Sequence, residues 1–342
     1  PAGGQRISCA VCRPNAPDYR ETELSEPAGF RTDFRPQDFE GSFTRSARGS
    51  SPRISPAINL MTRAEVRGTL SFSGPGEVFV VNDNGGRQYR FAPIANPSED
   101  DKGSWLSVDL QRAGVLGSVV LDQTAIWEGA LGLIKTTDAM LIGPRRTRAG
   151  VSYEPFTAAA RGAWYSLGFM LRSAAARLLD VGVGELDVGV SLRQLGVQDG
   201  NRAQTEVFLA DRLENGAGYA TWLGQASSLE LLLAEGEALV AKFAEAEHSC
   251  DSSCPDCLRD FTNLIFHPLL DWRLGRDLFR LLIDGELETD QWAAAEHQAA
   301  SAFALAFDAT EVELGGGVRV IHAHDRALIV HQHLARRDGP IV

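Results

Sequence analysis

The strongest constraint on this chain is a set of sulfur and imidazole side chains crowded into one short stretch. His248-Ser-Cys250-Asp-Ser-Ser-Cys254-Pro-Asp-Cys257 is followed at short range by Asn263 and His267. Cysteines this close converge on one ion if the backbone turns tightly between them, and Ser252, Ser253 and Pro255 suit such turns. Zinc holds thiolate sulfur firmly and takes four ligands in structural sites. A fourth ligand is therefore required. His267 is the first choice, because a short helix after Cys257 would return its imidazole to the knuckle; His248 is the second, and Cys9 or Cys12 could serve through long-range folding. The expected cofactor is Zn, with Cys250, Cys254, Cys257 and His267 as its ligands.

The five cysteines fall in two groups, Cys9/Cys12 and the knuckle. An odd count and tight spacing favour metal over disulfides. Cys9 and Cys12 form a CxxC with no second pair nearby, whereas a zinc ribbon uses two such pairs. They are a candidate second metal site, read as half of a ribbon whose other half lies upstream, and this predicts a C-terminal part of a longer protein. Catalytic zinc fits the knuckle poorly. A deaminase site needs HxE before a PCxxC, but here Pro255 sits between Cys254 and Cys257 and no HxE precedes them.

Hydrophobic residues make up 44% and charged residues 23% of the 342-residue chain, ordinary values for a globular protein. No window approaches a membrane span, and the start does not read as a signal peptide. The expectation is a cytoplasmic protein with no membrane partner. The net charge of −12 counts against a surface that coats nucleic acid. It leaves room for local patches, since lysine stands only at Lys102, Lys135 and Lys242 and the other basic residues are arginine. Arg145, Arg146 and Arg148 are the candidate nucleic-acid contacts, with Arg45, Arg48 and Arg53 as a second loop.

Residues 13–60 read as loop with short extended pieces. Glu77–Val81 and Arg87–Phe91 flank Asn82-Asp-Asn-Gly-Gly86 and predict a hairpin. Strands are also expected at Trp105–Leu110, Ala139–Ile142, Glu185–Val190, Glu206–Leu209, Gly317–Ile321 and Arg326–Val330. Helical spacing of apolar residues predicts helices over Thr157–Asp180 and Ser228–Glu247, with others over Leu269–Ile283 and Gln291–Phe307. Mixed elements without βαβ alternation favour an α+β fold of helices and short antiparallel strands with a zinc knuckle. A β-rich region is expected over 1–150, beginning with the half ribbon, and an α+β zinc-binding domain over 151–342.

Two further motifs carry chemistry less specifically. Asp211 followed by Gly216-Ala-Gly218 reads as a packing turn, with phosphate capture by backbone amides as the alternative. His322, His324, His331 and His333 could form a second metal site on the last strands, though structural histidines are commoner. No P-loop, GxSxG elbow, HExxH or kinase signature is present.

The knuckle with Leu258-Arg-Asp-Phe-Thr-Asn263 and His267-Pro-Leu-Leu-Asp-Trp-Arg273 resembles the MrfA-type zinc-binding domain. That domain stands at the C-terminus of many bacterial DEAD/DEAH-box helicases and in the DrmB component of DISARM phage defence. Glu26-Pro-Ala-Gly-Phe-Arg-Thr-Asp33 and the Asp211 turn fit more loosely. The resemblance implies zinc on Cys250, Cys254 and Cys257; the fourth cysteine of some members is replaced near Asn263. It implies an accessory, scaffolding module of a helicase-like DNA repair or antiphage protein. The expected partners are motor domains or a partner subunit, with DNA as a further candidate. No activity of its own is expected in this chain. The rival reading is a metal-dependent nuclease or other hydrolase built on the histidine-rich tail.

Overall fold

A computed structural model of the chain describes residues 6–7, 19–20, 22–27, 52–84, 87–112, 116–194, 203–245, 247–287, 290–313, 319–323, 326–330 and 332–335. The short strands β1 (Arg6–Ile7) and β2 (Tyr19–Arg20) pair with each other. The main sheet has nine strands. In chain order these are β3 (Leu24–Ser25), β4 (Arg53–Pro56), β5 (Thr62–Val66), β6 (Thr69–Asn82), β7 (Tyr89–Pro93), β8 (Trp105–Ser107), β9 (Trp127–Pro144), β10 (Leu186–Gln194) and β11 (Ala203–Asp211). Its main path runs β10-β11-β9-β6-β4. Every pairing is antiparallel except β3 on β9. β12 (Thr310–Glu313), β13 (Arg319–Ala323) and β14 (Arg326–Ile329) form a separate sheet. The helices are α1 (Val108–Arg112), α2 (Ala158–Leu179), α3 (Tyr219–Leu223), α4 (Ala226–Phe243), α5 (Trp272–Ile283) and α6 (Ala293–Ala306). The fold class is α+β, as expected.

Period-two alternation divides the centre of the sheet between two apolar clusters. Met140, Ile142, Val207 and Leu209 enter the large core shared with the helices. Their neighbours Ala139, Leu141, Phe208 and Ala210 enter a smaller cluster with Val78. Both faces are covered, so these strands read as continuous apolar runs rather than alternating ones.

Helix α2 is the central pillar. Thr157 caps its start by accepting from the Ala160 amide at 3.0 Å, and Asp180, at φ 55°, ends it in the left-handed region. The sequence suggested one apolar face, yet Trp164, Leu167, Phe169, Met170 and Leu171 are all buried. Sheet, α4 and α5 surround the helix, so its burial extends well round its circumference. Gly168 allows the close approach to the sheet, since a β-carbon there would lie 2.6 Å from Val188 Cγ1.

The predicted hairpin is corrected. β6 and β7 do not pair with each other; both pair antiparallel with β9, Asn82 opposite Leu131 and Tyr89 opposite Gly129. They lie end to end along one long partner. Asn84, at φ 56°, turns the chain as its residue type suggests. The turn chemistry was legible, whereas the choice of partner is set by β9, far away in sequence.

Trp105–Leu110 is strand only to Ser107 before α1 begins. The helix expected from Leu269 starts at Trp272, after a 3-10 segment over Phe261–Leu269. β12 was not anticipated. β9 and β11, from either side of residue 150, pair within the one sheet. No described helix is long and apolar enough to cross a membrane.

Candidate metal centre

Helix α4 ends at Phe243 and α5 begins at Trp272. Both pack with α2 in the large core, and the cysteine stretch bridges their ends. Local turns shape it. The Cys254 carbonyl accepts from the amides of Cys257 at 3.2 Å, Leu258 at 3.2 Å and Arg259 at 3.0 Å, and the Cys254 amide donates to Cys257 Sγ at 3.1 Å. This wraps the backbone round the sulfurs and brings Cys254 Sγ within 3.7 Å of Cys257 Sγ.

The fourth member of the group is His248. Its Nδ1 lies 2.8 Å from the Phe243 carbonyl. A carbonyl can only accept, so that nitrogen carries the proton and Nε2 is left with a free lone pair. Nε2 lies 3.4 Å from Cys254 Sγ. One ligand atom each from His248, Cys250, Cys254 and Cys257 lies within 4.8 Å of all the others, a group that could hold a metal ion. Among the described residues, metal-binding side chains gather this way only here.

His267, expected as the fourth ligand, is engaged elsewhere. Its Nε2 lies 2.9 Å from Asn263 Oδ1 and 3.1 Å from the Asp260 carbonyl. Asn263 is fully buried, accepting from the Asp260 amide and donating to the Leu258 carbonyl. Asp260 and Asn263 form a capping box at the start of the 3-10 segment, and the His267 imidazole completes it. The segment does follow Cys257, but its ring buttresses the cap. Cys9 and Cys12 lie outside the described residues.

Two residues the sequence reading passed over brace the cluster. Trp272 donates Nε1–H to the Cys250 carbonyl at 3.1 Å, and its ring meets His248 edge-on at 5.7 Å. Phe243 supplies the carbonyl that sets the His248 tautomer. A tryptophan soon after the knuckle was the available signal. Arg172 of α2, almost fully buried, pairs with Asp260 and donates to Thr262 Oγ1 at 2.9 Å, fixing the downstream turn.

The thiols differ in acidity. Burial pushes Cys257 up to about 12 and also raises Cys250. Burial acts the same way on Cys254, but the contact with His248, a hydrogen bond from the Asp256 backbone and those with its neighbouring thiols outweigh it and leave that thiol lowered. Without a cation, three neighbouring sulfurs cannot all ionise cheaply, because each thiolate opposes the next.

The other candidates do not converge. The Asp211 carboxylate is buried and accepts from the amides of Ala217 at 2.6 Å, Tyr219 at 3.0 Å and Ala220 at 2.8 Å. The amide nest considered for phosphate is thus filled by the chain's own carboxylate, which favours the packing reading. Gly216, at φ 69°, could not carry a β-carbon, which would lie 2.3 Å from Asp138 Oδ2.

Arg145 and Arg146 are exposed and line a concavity of about 380 Å³ with Arg67. Arg145 pairs with Glu65 at 2.9 Å, and Arg148 donates to the Gly285 carbonyl at 3.1 Å. In the tail, His322 is exposed on β13. His333 is largely buried, edge-on to Trp292, with Nε2 3.7 Å from Asp277 Oδ2. Burial pushes His333 down to about 4, the Asp271 charge opposing it weakly. His324, His331, Arg45 and Arg48 lie outside the described residues.

No family model matches the chain. A 123-residue stretch, 36% of the chain, is 32% identical to the Druantia protein DruE of Escherichia coli (strain UMEA 4076-1). The match spans only 6% of that much longer protein. Among solved structures, the DUF1998 helicase MrfA bound to DNA aligns over 69% of this chain and 25% of its own, at 12% identity and a TM-score of 0.39.

Proposed function

We propose that this chain is a zinc-braced accessory module of a larger helicase-associated or defence protein. In this reading it docks onto motor domains or a partner subunit and carries no reaction of its own. The observation that carries it is the closed group of His248, Cys250, Cys254 and Cys257. Around zinc, with sulfur at about 2.3 Å and nitrogen at about 2.1 Å, tetrahedral geometry sets S···S at about 3.8 Å and S···N at about 3.6 Å. The Cys254–Cys257 and Cys254–His248 separations of 3.7 Å and 3.4 Å agree with those edges. Four protein ligands leave no open position for substrate, which is the pattern of a structural site. Such an ion would tie the end of α4 to the start of α5. The resemblance of residues 248–273 to the MrfA-type domain and the stretch shared with DruE support the helicase-associated or defence role.

DNA contact through Arg145, Arg146 and Arg148 belongs to the same proposal, in a weakened form. Arg145 already has a carboxylate partner and the chain carries −12, so binding by this chain alone should be weak and steeply salt-dependent. Incubation with duplex DNA, ATP and divalent metal should give neither ATP hydrolysis nor strand cleavage. In a salt titration, Arg145→Ala/Arg146→Ala should lower the slope by about one to two contacts. Metal-dependent cleavage abolished by His322→Ala would replace this reading with the hydrolase.

A further inference from the structure

A second concavity, of about 600 Å³, opens where β4, the start of α2, β10 and the Phe261–Leu269 segment meet. Its apolar wall includes Phe156, Ile265 and Leu192, which are 67%, 51% and 46% exposed. Large side chains from three separate elements thus stay in water around one hollow, where isolated exposed residues would scatter. β10 ends the main path of the sheet, and its residues Val190, Ser191 and Leu192 line the same hollow.

The charge at this site is unbalanced. Arg53 and Arg161 line it together with Tyr165, and among the described residues no carboxylate does. Several other arginines pair with acids, Arg145 with Glu65, Arg67 with Glu237 and Asp284, Arg193 with Glu206 and Arg273 with Asp271, while Arg148 and Arg212 donate to backbone carbonyls. Among the described residues Arg53 and Arg161 have no such partner. Two uncompensated guanidinium groups beside an apolar floor, in a chain of net charge −12, call for an occupant that is apolar and acidic together.

We propose that this groove docks a segment of a partner protein whose large apolar side chains are flanked by carboxylates. The apolar side chains would fill the hollow against Ile265 and Leu192, and the carboxylates would take the Arg53 and Arg161 forks. The proposal rests on the reading of the chain as a docking module and names the surface and partner chemistry that reading leaves open. Among the described lining residues there are two cations and no continuous basic track, which favours a peptide over a nucleic-acid strand.

A library of random peptides displayed on phage, selected on the immobilised full chain, tests it. Selected peptides should combine Leu, Ile or Phe with Asp or Glu. Their synthetic forms should bind at least about tenfold more weakly to Arg161→Glu and to Ile265→Asp, both exposed positions. An oligodeoxythymidine should not compete. Failure to enrich any peptide, enrichment of basic peptides, affinity unchanged in both variants, or displacement by the oligonucleotide would each overturn the proposal. Metal content and melting temperature measured on the same proteins separate the two readings. A groove that fails on a chain retaining its metal contradicts only the docking site, whereas a chain without metal contradicts the zinc brace.

Discussion

The Asp211 turn and the cysteine knuckle are both tight, partly buried turns, and their internal chemistry differs in kind. At Asp211, acceptor meets donor: one carboxylate takes three backbone N–H groups, and Lys135 Nζ donates to the Asp211 and Arg212 carbonyls and to Asp187. Every strong polar group there has its complement within the chain. At the knuckle, lone pair meets lone pair: three sulfurs and the bare Nε2 of His248 face one another. A turn of the first kind is finished by folding alone. A turn of the second kind lacks that complement within the polypeptide, and a cation would supply it.

The sharpest way to break this contrast is Cys254→Ser. Zinc binding supplies on the order of 10 kcal/mol of folding free energy in small zinc domains, so this variant should lose its metal and a large part of the cooperative melt. Strong chelation of the wild type should do the same. An unchanged melt in both cases would place the knuckle in the self-sufficient class with the Asp211 turn.

Asp211→Ala is the complementary cut and the next largest. It strands three backbone donors in a buried turn, at a cost of about 3–5 kcal/mol, and should leave metal content untouched. Denaturant unfolding gives the first quantity and elemental analysis the second. Loss of metal in this variant would mean that the two turns are not independent.

His333 supplies a smaller and pH-dependent test. Its imidazole is largely buried, and the Nε2 atom is out of contact with water and has no hydrogen-bond partner. Its pKa falls from 6.5 to about 4 because burial disfavours the charged form. Between those values the unfolded chain binds the proton and the folded chain does not, so stability present above pH 6.5 is lost as pH falls towards 4. The full effect is up to about 3 kcal/mol. Measured across that range, the unfolding free energy of wild type should fall relative to that of His333→Gln as pH drops. Parallel curves would contradict the buried, neutral histidine.

Local chemistry was legible in the sequence and long-range partnership was not. Cys250, Cys254 and Cys257 announced themselves by spacing, and Thr157 and Asp180 bounded α2 to within a residue. The structure gathers His248 rather than the expected His267 with the three sulfurs, and the reason is physical. His267 stands at helical distance from Asn263, which makes it a natural buttress for the Asp260 cap, whereas the claim of His248 depends on where α4 delivers the Phe243 carbonyl. The false hairpin has the same origin. Turn residues bend the chain, but only β9 decides that β6 and β7 lie in line. The groove beside β10 draws on four segments distant in sequence and left no local trace.

The central claim is that three sulfurs and the His248 nitrogen close round one zinc ion. Zinc-edge X-ray absorption on the purified full chain tests it most directly. The account predicts one zinc per chain with three sulfur neighbours at about 2.3 Å and one nitrogen at about 2.1 Å. The nitrogen shell should be lost in His248→Ala and kept in His267→Ala. A shell of four sulfurs, or one that loses its nitrogen only in His267→Ala, would contradict it.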